Sequence, residues 1–182
     1  MEARAWLILA PGILAGTGTG PAKELAMPGT PTPRPRLIGI NHVALEVGDI
    51  DAALEFYGQF FDFELRGRPS KEMAFIDLGD QFLALSAGRG QPPDTARHFG
   101  LVVDDREGLR AKLEAAGVTL TSAKRLDFLD PWGNQIEVVS YASIQFLKDR
   151  AVLAAMGAGE LCKTEAAKEE LQGKGITPPG DA

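Results

Sequence analysis

One stretch of this chain occurs twice. INHVALEVGD at residues 40–49 returns 56 residues later as ARHFGLVVDD at 96–105. The overlay sets His42 on His98, Leu45 on Leu101, Val47 on Val103 and Asp49 on Asp105. A second pair of segments follows suit: GDQFLALS at 79–86 resembles GNQIEVVS at 133–140. A coincidence of histidine, helix-capping aspartate and hairpin turn points to two copies of one structural unit rather than to two unrelated amphipathic strands.

Each copy reads β-α-β-β-β. Gly39–Val47 alternates apolar and polar residues and is β-rich, which predicts a strand. Asp49 is placed to cap a helix over 50–60 with Ala53, Phe56, Tyr57 and Phe60 on its apolar face. Strands are expected near 61–67, 72–78 and 81–87, the last two joined at Leu78-Gly79-Asp80-Gln81. The second copy predicts a strand at Arg97–Val103, a helix over 106–116 carrying Leu109 and Leu113 and ending at Gly117, and strands near 118–122, 124–129 and 135–141. The expected fold is α+β: two βαβββ modules related by a pseudo-twofold, forming a curved mixed sheet with the helices on its outer face. A helical tail follows, with Ser143 and Thr164 as candidate caps.

Outside the repeat the chain divides into three parts. Residues 1–36 end in PGTPTPRPR, a proline density that allows neither helix nor central strand, so this part reads as a poorly ordered segment and extended linker. Residues 37–142 form the expected folded domain and 143–182 the helical extension, loose from Thr177 onward. Trp6–Ala15 is the one candidate targeting segment, interrupted by Pro11 and Gly12. An alternative start at Met27 would remove it, and the expected compartment is the cytoplasm. No apolar run is long enough to span a bilayer, and the net charge of −6 argues against a nucleic-acid partner. A single cysteine, Cys162, excludes an internal disulfide framework and a cysteine-rich metal site.

The chemistry is carried by few residues. Strand alternation puts His42 on one face with Ile40, Ala44 and Glu46, and leaves Val43, Leu45 and Val47 for the helix. His98 stands on the corresponding face of the second module, and Glu137 lies opposite Ile136 and Val138 on the final strand. A pseudo-twofold brings equivalent strand positions together, so two imidazoles and one carboxylate converge. Such a donor set suits one divalent metal ion with open positions for water or substrate. Fe2+, Mn2+, Zn2+ and Ni2+ all match it.

Three stretches resemble the vicinal oxygen chelate superfamily, which includes glyoxalase I, bleomycin-resistance proteins, fosfomycin-resistance thiol transferases and extradiol dioxygenases. They are NHVALEVGDIDAALEFYGQFFDFEL at 41–65, HFGLVVDD at 98–105 and FLDPWGNQIEV at 128–138. The shared signature is a first-strand His (His42), a helix bearing a Phe-Tyr pair (Phe56-Tyr57) and a D-P-x-G-N-x-x-E hairpin (Asp130 to Glu137). The resemblance implies metal ligands from strands one, four, five and eight. On this chain these are His42, His98 and Glu137, with the strand-four position falling on Leu83 or Ala84, neither of which binds metal. Gln81 and Ser86 are the nearest polar residues there. That departure disfavours four-ligand glyoxalase I activity. It leaves a metal-dependent lyase, dioxygenase or thiol transferase acting on a small oxygenated substrate.

Tyr57, Glu46 and Tyr141 are the candidate catalytic bases, and Phe82, Ala84, Ser86 and Trp132 the candidate pocket. Lys71, Arg97, Lys124 and Arg125 are available to an anionic substrate. The alternative is a metal-free drug-binding protein of the bleomycin-resistance type. A homodimer is expected in either case, with modules paired within a chain or exchanged between chains.

Overall fold

A computed structural model describes residues 36–177 of the chain. The proline-rich stretch, the Trp6–Ala15 segment and the last five residues lie outside the described residues. Among the described residues, no helix is long and apolar enough to cross a membrane.

The first module follows the predicted order. Strand β1 (His42–Val47) leads into helix α1 (Ile50–Phe60), then β2 (Leu65–Ser70), β3 (Met73–Asp77) and β4 (Phe82–Ala87). Asp49 caps α1, its carboxylate accepting the Ala52 amide at 2.9 Å. The strand order is β1-β4-β3-β2, with β1 parallel to β4 and the other pairs antiparallel. In the second module, β5 (Phe99–Val103) is followed by α2 (Arg106–Ala115), β6 (Leu126–Leu129) and β7 (Gln135–Ser140). Here the order is β5-β7-β6, again with a parallel and an antiparallel pair. The architecture is therefore mixed α+β in two sheets rather than one continuous sheet.

One expected strand is missing from the second sheet. Residues 118–122 contribute only a bridge between Leu120 and Phe128. The reason is local. Ser122 turns its hydroxyl onto the amides of Lys124 and Arg125, at 3.3 and 3.1 Å, and bends the chain into a turn where a ladder would have continued.

A single core joins both modules. Leu45, Val47, Ile50, Ala53, Tyr57 and Phe60 from the first pack in one cluster with Leu109, Leu113, Leu126, Phe128, Ile136 and Val138 from the second. Within it runs a polar connection. The Tyr57 hydroxyl, at the centre of α1, donates to Asp130 at 2.9 Å across 73 residues of sequence. The other Asp130 oxygen accepts the Trp132 and Asn134 amides at 3.0 and 2.8 Å, which closes the β6–β7 turn. Asn134 then donates to the Glu46 carbonyl on β1 at 3.0 Å. Gly133 completes the turn at φ +86°, and an added Cβ there would stand 2.6 Å from Pro93 Cα.

The C-terminal extension packs on the first module. Gly79, in the β3–β4 turn, has Val152 and Met156 against it, and Lys148 pairs with Asp80. The helix expected from Ser143 is replaced by a 3-10 turn, η1 (Tyr141–Ser143), and a later helix α3 (Arg150–Ala155) capped by Asp149. Between them Lys148 is drawn onto Asp80 and Gln145 onto Glu170, side-chain directions that compete with a regular helical face. Helix α4 (Glu165–Gln172) begins at Thr164, as its sequence predicts.

Because Asp130 is only 4% exposed, removing the Tyr57 hydroxyl leaves a buried carboxylate one donor short. Tyr57→Phe is expected to destabilise the fold by about 1–3 kcal/mol. Urea denaturation followed by circular dichroism checks this, with the exposed His42→Ala expected to cost less than about 0.5 kcal/mol.

Candidate functional site

Two histidines stand at equivalent places, and each has one ring nitrogen already engaged. His98 lies immediately before β5. Its Nδ1 is 3.0 Å from the Ala96 carbonyl, which can only accept, so Nδ1 carries the hydrogen. The other nitrogen, Nε2, is 3.3 Å from Glu137 Oε2. In the neutral ring this sets a nitrogen lone pair against a carboxylate oxygen. A second proton on the ring or a cation between the two groups turns that repulsion into attraction. His42 is held in the same manner: Nδ1 lies 2.9 Å from Asn41 Oδ1, and the ring stacks on Phe82 at 4.6 Å between centroids and 11° between planes. Its Nε2 is the nitrogen left for a ligand.

The strand registers identify the strand-four position. In the second module Glu137 pairs with Gly100, two residues after His98. In the first, the residue paired with Ala44, two after His42, is Ala84. Ala84, not Leu83, is thus the counterpart of Glu137. Gln81 does not substitute for it, because its amide donates to the Ile40 carbonyl at 2.7 Å. Ser86 pairs with Glu46, on the His42 face but two residues further along.

His98 and Glu137 come together within one chain. His42 is not part of the pair, and among the described residues no set of three His, Cys, Asp or Glu side chains is gathered to hold a metal ion. The other candidates divide. Phe82, Ala84 and Ser86 share one face of β4 with His42, although Ala84 itself is buried. Trp132 is turned inward instead: it packs edge-on against Phe56 and sits so close over Gly48 that a Cβ there would collide with its indole. Tyr57 is 1% exposed, and burial, reinforced by the Asp130 carboxylate, pushes its phenol well above the ordinary value. Its hydroxyl holds the fold and cannot reach a substrate. Tyr141 is likewise buried, its carbonyl and ring taken up by Lys163. Glu46 remains exposed and accepts from Gln91 at 2.8 Å.

Glu46 and His98 face a common groove of about 240 Å³. It runs between β1 and the start of β5 and is lined also by Arg89, Gln91, Asp94, Arg97 and Asn134. The loop at 88–97 is wired tightly: Arg89 bonds Asn134, the Pro92 carbonyl at 2.9 Å and Asp94, while Arg97 bonds Asp94 at 2.6 Å and Gln91 at 3.0 Å.

A family model described as the Glyoxalase/Bleomycin resistance protein/Dioxygenase superfamily matches residues 39–138. This chain belongs to that superfamily. Among solved structures, a genomically encoded fosfomycin resistance protein, FosX, from Listeria monocytogenes is similar at 16% identity, with 58% of this chain and 92% of that chain covered and a TM-score of 0.51. A possible glyoxalase from Bacillus cereus is 26% identical over 57% of this chain and 99% of that one, with a TM-score of 0.47. A lactoylglutathione lyase from Agrobacterium tumefaciens is 23% identical over 59% and 96%, with a TM-score of 0.46.

The superfamily signature acquires a physical meaning here. Its Phe-Tyr pair and its D-P-x-G-N turn are two ends of one buried connection, and the terminal Glu of the turn motif, Glu137, turns instead to His98. The structure also adds a residue that the sequence does not single out. Asp127, 1% exposed, lies directly across from Glu137 on β6, with Oδ2 on Arg125 at 2.7 Å and Oδ1 without a protein partner. Two carboxylates directly opposite on one sheet face repel. Arg125 offsets the charge on Asp127. In the sequence Asp127 is one polar residue inside the run LDFL, and nothing in its spacing marks it. Of the basic residues available to an anion, Arg97 and Arg125 are engaged with Asp94 and Asp127.

Asp94 gives the loop a pH dependence. Burial pushes its carboxyl up, but Arg97, the Gln135 amide and Arg89 together outweigh burial and hold it below the ordinary 3.8. A carboxylate with a depressed folded value stabilises fully above its unfolded value and loses that contribution as pH falls through the folded one. Urea denaturation between pH 3 and 7 should therefore show Asp94→Asn with a shallower acid limb below about pH 4 than wild type. A parallel offset at every pH would contradict this assignment.

Proposed function

We propose that this chain is one subunit of a homodimeric, divalent-metal-dependent enzyme that acts on a small oxygenated molecule. His98 and Glu137 of one subunit supply two ligands, and His42 supplies the third. The observation that carries this reading is the His98–Glu137 pair. With Nδ1 committed to Ala96, Nε2 meets Glu137 at 3.3 Å, an arrangement suited to sharing a cation. Two imidazoles and a carboxylate are compatible with Fe2+, Mn2+, Zn2+ or Ni2+. Bound there, the ion supplies Lewis acidity to two neighbouring substrate oxygens, the chemistry shared by lyase, dioxygenase and thiol-transferase members. Ala84 at the fourth position argues against a four-ligand centre of the glyoxalase I kind.

His42 comes from the second subunit in this proposal. Its surroundings support that assignment. Ile38 and Ile40, just before β1, are 89% and 67% exposed, and Met73, whose neighbour across the ladder is Ser86, is open as well. Apolar side chains standing in water beside a metal-binding histidine are a surface for another copy to cover. The residues around the ion then have distinct tasks. Asn41 and the Ala96 carbonyl fix the imidazole tautomers, Phe82 holds the His42 ring flat, and Arg125 offsets the charge of Asp127 behind Glu137.

A metal-free binding protein is the second reading. It is favoured by the aromatic character of the first module's open face, where Phe75 and Phe82 meet edge-on at 5.3 Å beside Ala84. Metal analysis separates the two. Dialysed wild-type protein should retain stoichiometric divalent metal. His98→Ala, Glu137→Ala and His42→Ala should each weaken its binding at least about tenfold without unfolding. Mixing His42→Ala with His98→Ala subunits should restore metal binding to half the sites of the hybrid dimer. Metal-free wild type would favour sequestration, and hybrids with no restored site would place His42 in the same chain as its partners.

A further inference from the structure

We infer that Arg66 reads a carboxylate on the ligand, so that the substrates are small oxygenated acids rather than neutral carbonyl compounds or diols. This rests on the metal-site reading above and deepens it.

The placement of Arg66 is built into the first sheet. Leu65 pairs with Ile76 and Gly67 with Phe75, so two steps along β2 meet one step along β3. Arg66 is the extra residue of this bulge. A bulge re-aims the side chain it carries. Here the guanidinium passes over the sheet face and comes to rest above Phe82 on β4, with Cζ 5.0 Å from the ring centroid. Phe82 is the same ring on which His42 stacks at 4.6 Å. One phenyl ring thus organises both a candidate metal ligand and a cation.

That cation has no acid of its own. Among the described residues, Arg66 forms neither a hydrogen bond nor an ion pair, and its guanidinium lies over the face of Phe82. Arg68, two residues on, is engaged with Asp51 at 2.5 Å. Arg89, Arg97 and Arg125 are each held on an aspartate. A guanidinium steadied by an aromatic ring keeps its planar row of donors free, and that row matches the two oxygens of a carboxylate. A ligand whose vicinal oxygens meet the ion at His42 would therefore be recognised by a carboxylate extending towards β2.

The test uses two hydroxamates that differ by a carboxymethyl group. Acetohydroxamate offers two adjacent oxygens, and succinic monohydroxamate offers the same two plus a carboxylate. Calorimetric titration of Mn2+-loaded protein should show the succinic compound binding about tenfold tighter. Arg66→Met should abolish that preference and leave acetohydroxamate affinity unchanged. Arg66→Lys, which keeps the charge but not the fork, should retain only part of it. Arg66 is exposed on an edge strand, and circular dichroism of both variants confirms an intact fold. Equal affinity of the two compounds in wild type, or a preference that survives Arg66→Met, overturns the inference.

Failure of the metal reading has a separate signature, in that acetohydroxamate binding becomes indifferent to Mn2+. In that event the same comparison, made with succinate on metal-stripped wild type and Arg66→Met by saturation-transfer NMR, still decides the role of Arg66. Loss of binding in the variant supports it, and equal binding overturns it.

Discussion

The hydrogen bond from Tyr57 to Asp130 is the constraint on which the rest of this fold depends. It joins the middle of the first module's helix to the last hairpin of the second, inside the core that both modules share. A polar contact in that setting allows little variation. The hydroxyl and the carboxylate have each left water, and each is satisfied only if the two modules dock in one relative position. From Asp130 the same connection passes through Asn134 to the β1 backbone and through Arg89 to the loop at 88–97. Asn134 and Arg89, both members of that connection, line the groove.

The site that results is asymmetric although its two halves are built alike. Each module offers a histidine whose Nδ1 is tied down, with the His98 Nε2 turned to Glu137. Two residues beyond, across the parallel ladder, one half offers Glu137 and the other Ala84. The carboxylate half is polar, with Asp127 and Arg125 behind it. The alanine half is aromatic, with Phe75 and Phe82 flanking Ala84. In the proposed centre the second module would supply the charge and two ligands, and the first would supply one imidazole beside an aromatic surface for the ligand's body.

Much of this could be read in the residues alone. The alternation in HVALEV assigns His42 to the face away from the helix, and the structure places Leu45 and Val47 in the core as that alternation requires. Asp49, Asp105 and Thr164 cap the helices they precede. Local chemistry of this kind is legible because neighbours in sequence decide it. What escaped depends on partners far along the chain. GRGQPPDT reads as an ordinary polar loop until Arg89 meets Asn134, 45 residues away. Trp132 reads as a pocket residue until Gly48 is seen beneath it. Ser143 is a competent cap, but long-range bonds of Gln145 and Lys148 take the chain elsewhere. The choice between Leu83 and Ala84 likewise needed the strand register, since alternation cannot tell a position from its neighbour when both are apolar.

The proposed centre requires both imidazoles to meet the same ion. Electron spin echo envelope modulation of the Cu2+-substituted protein addresses this directly, since it detects the remote, non-coordinated nitrogen of each bound imidazole. The predicted spectrum at natural isotope abundance carries the 14N quadrupole lines and combination bands of two remote imidazole nitrogens, and these are lost when histidine alone is labelled with 15N. A spectrum showing one imidazole, or none, would contradict the proposed centre.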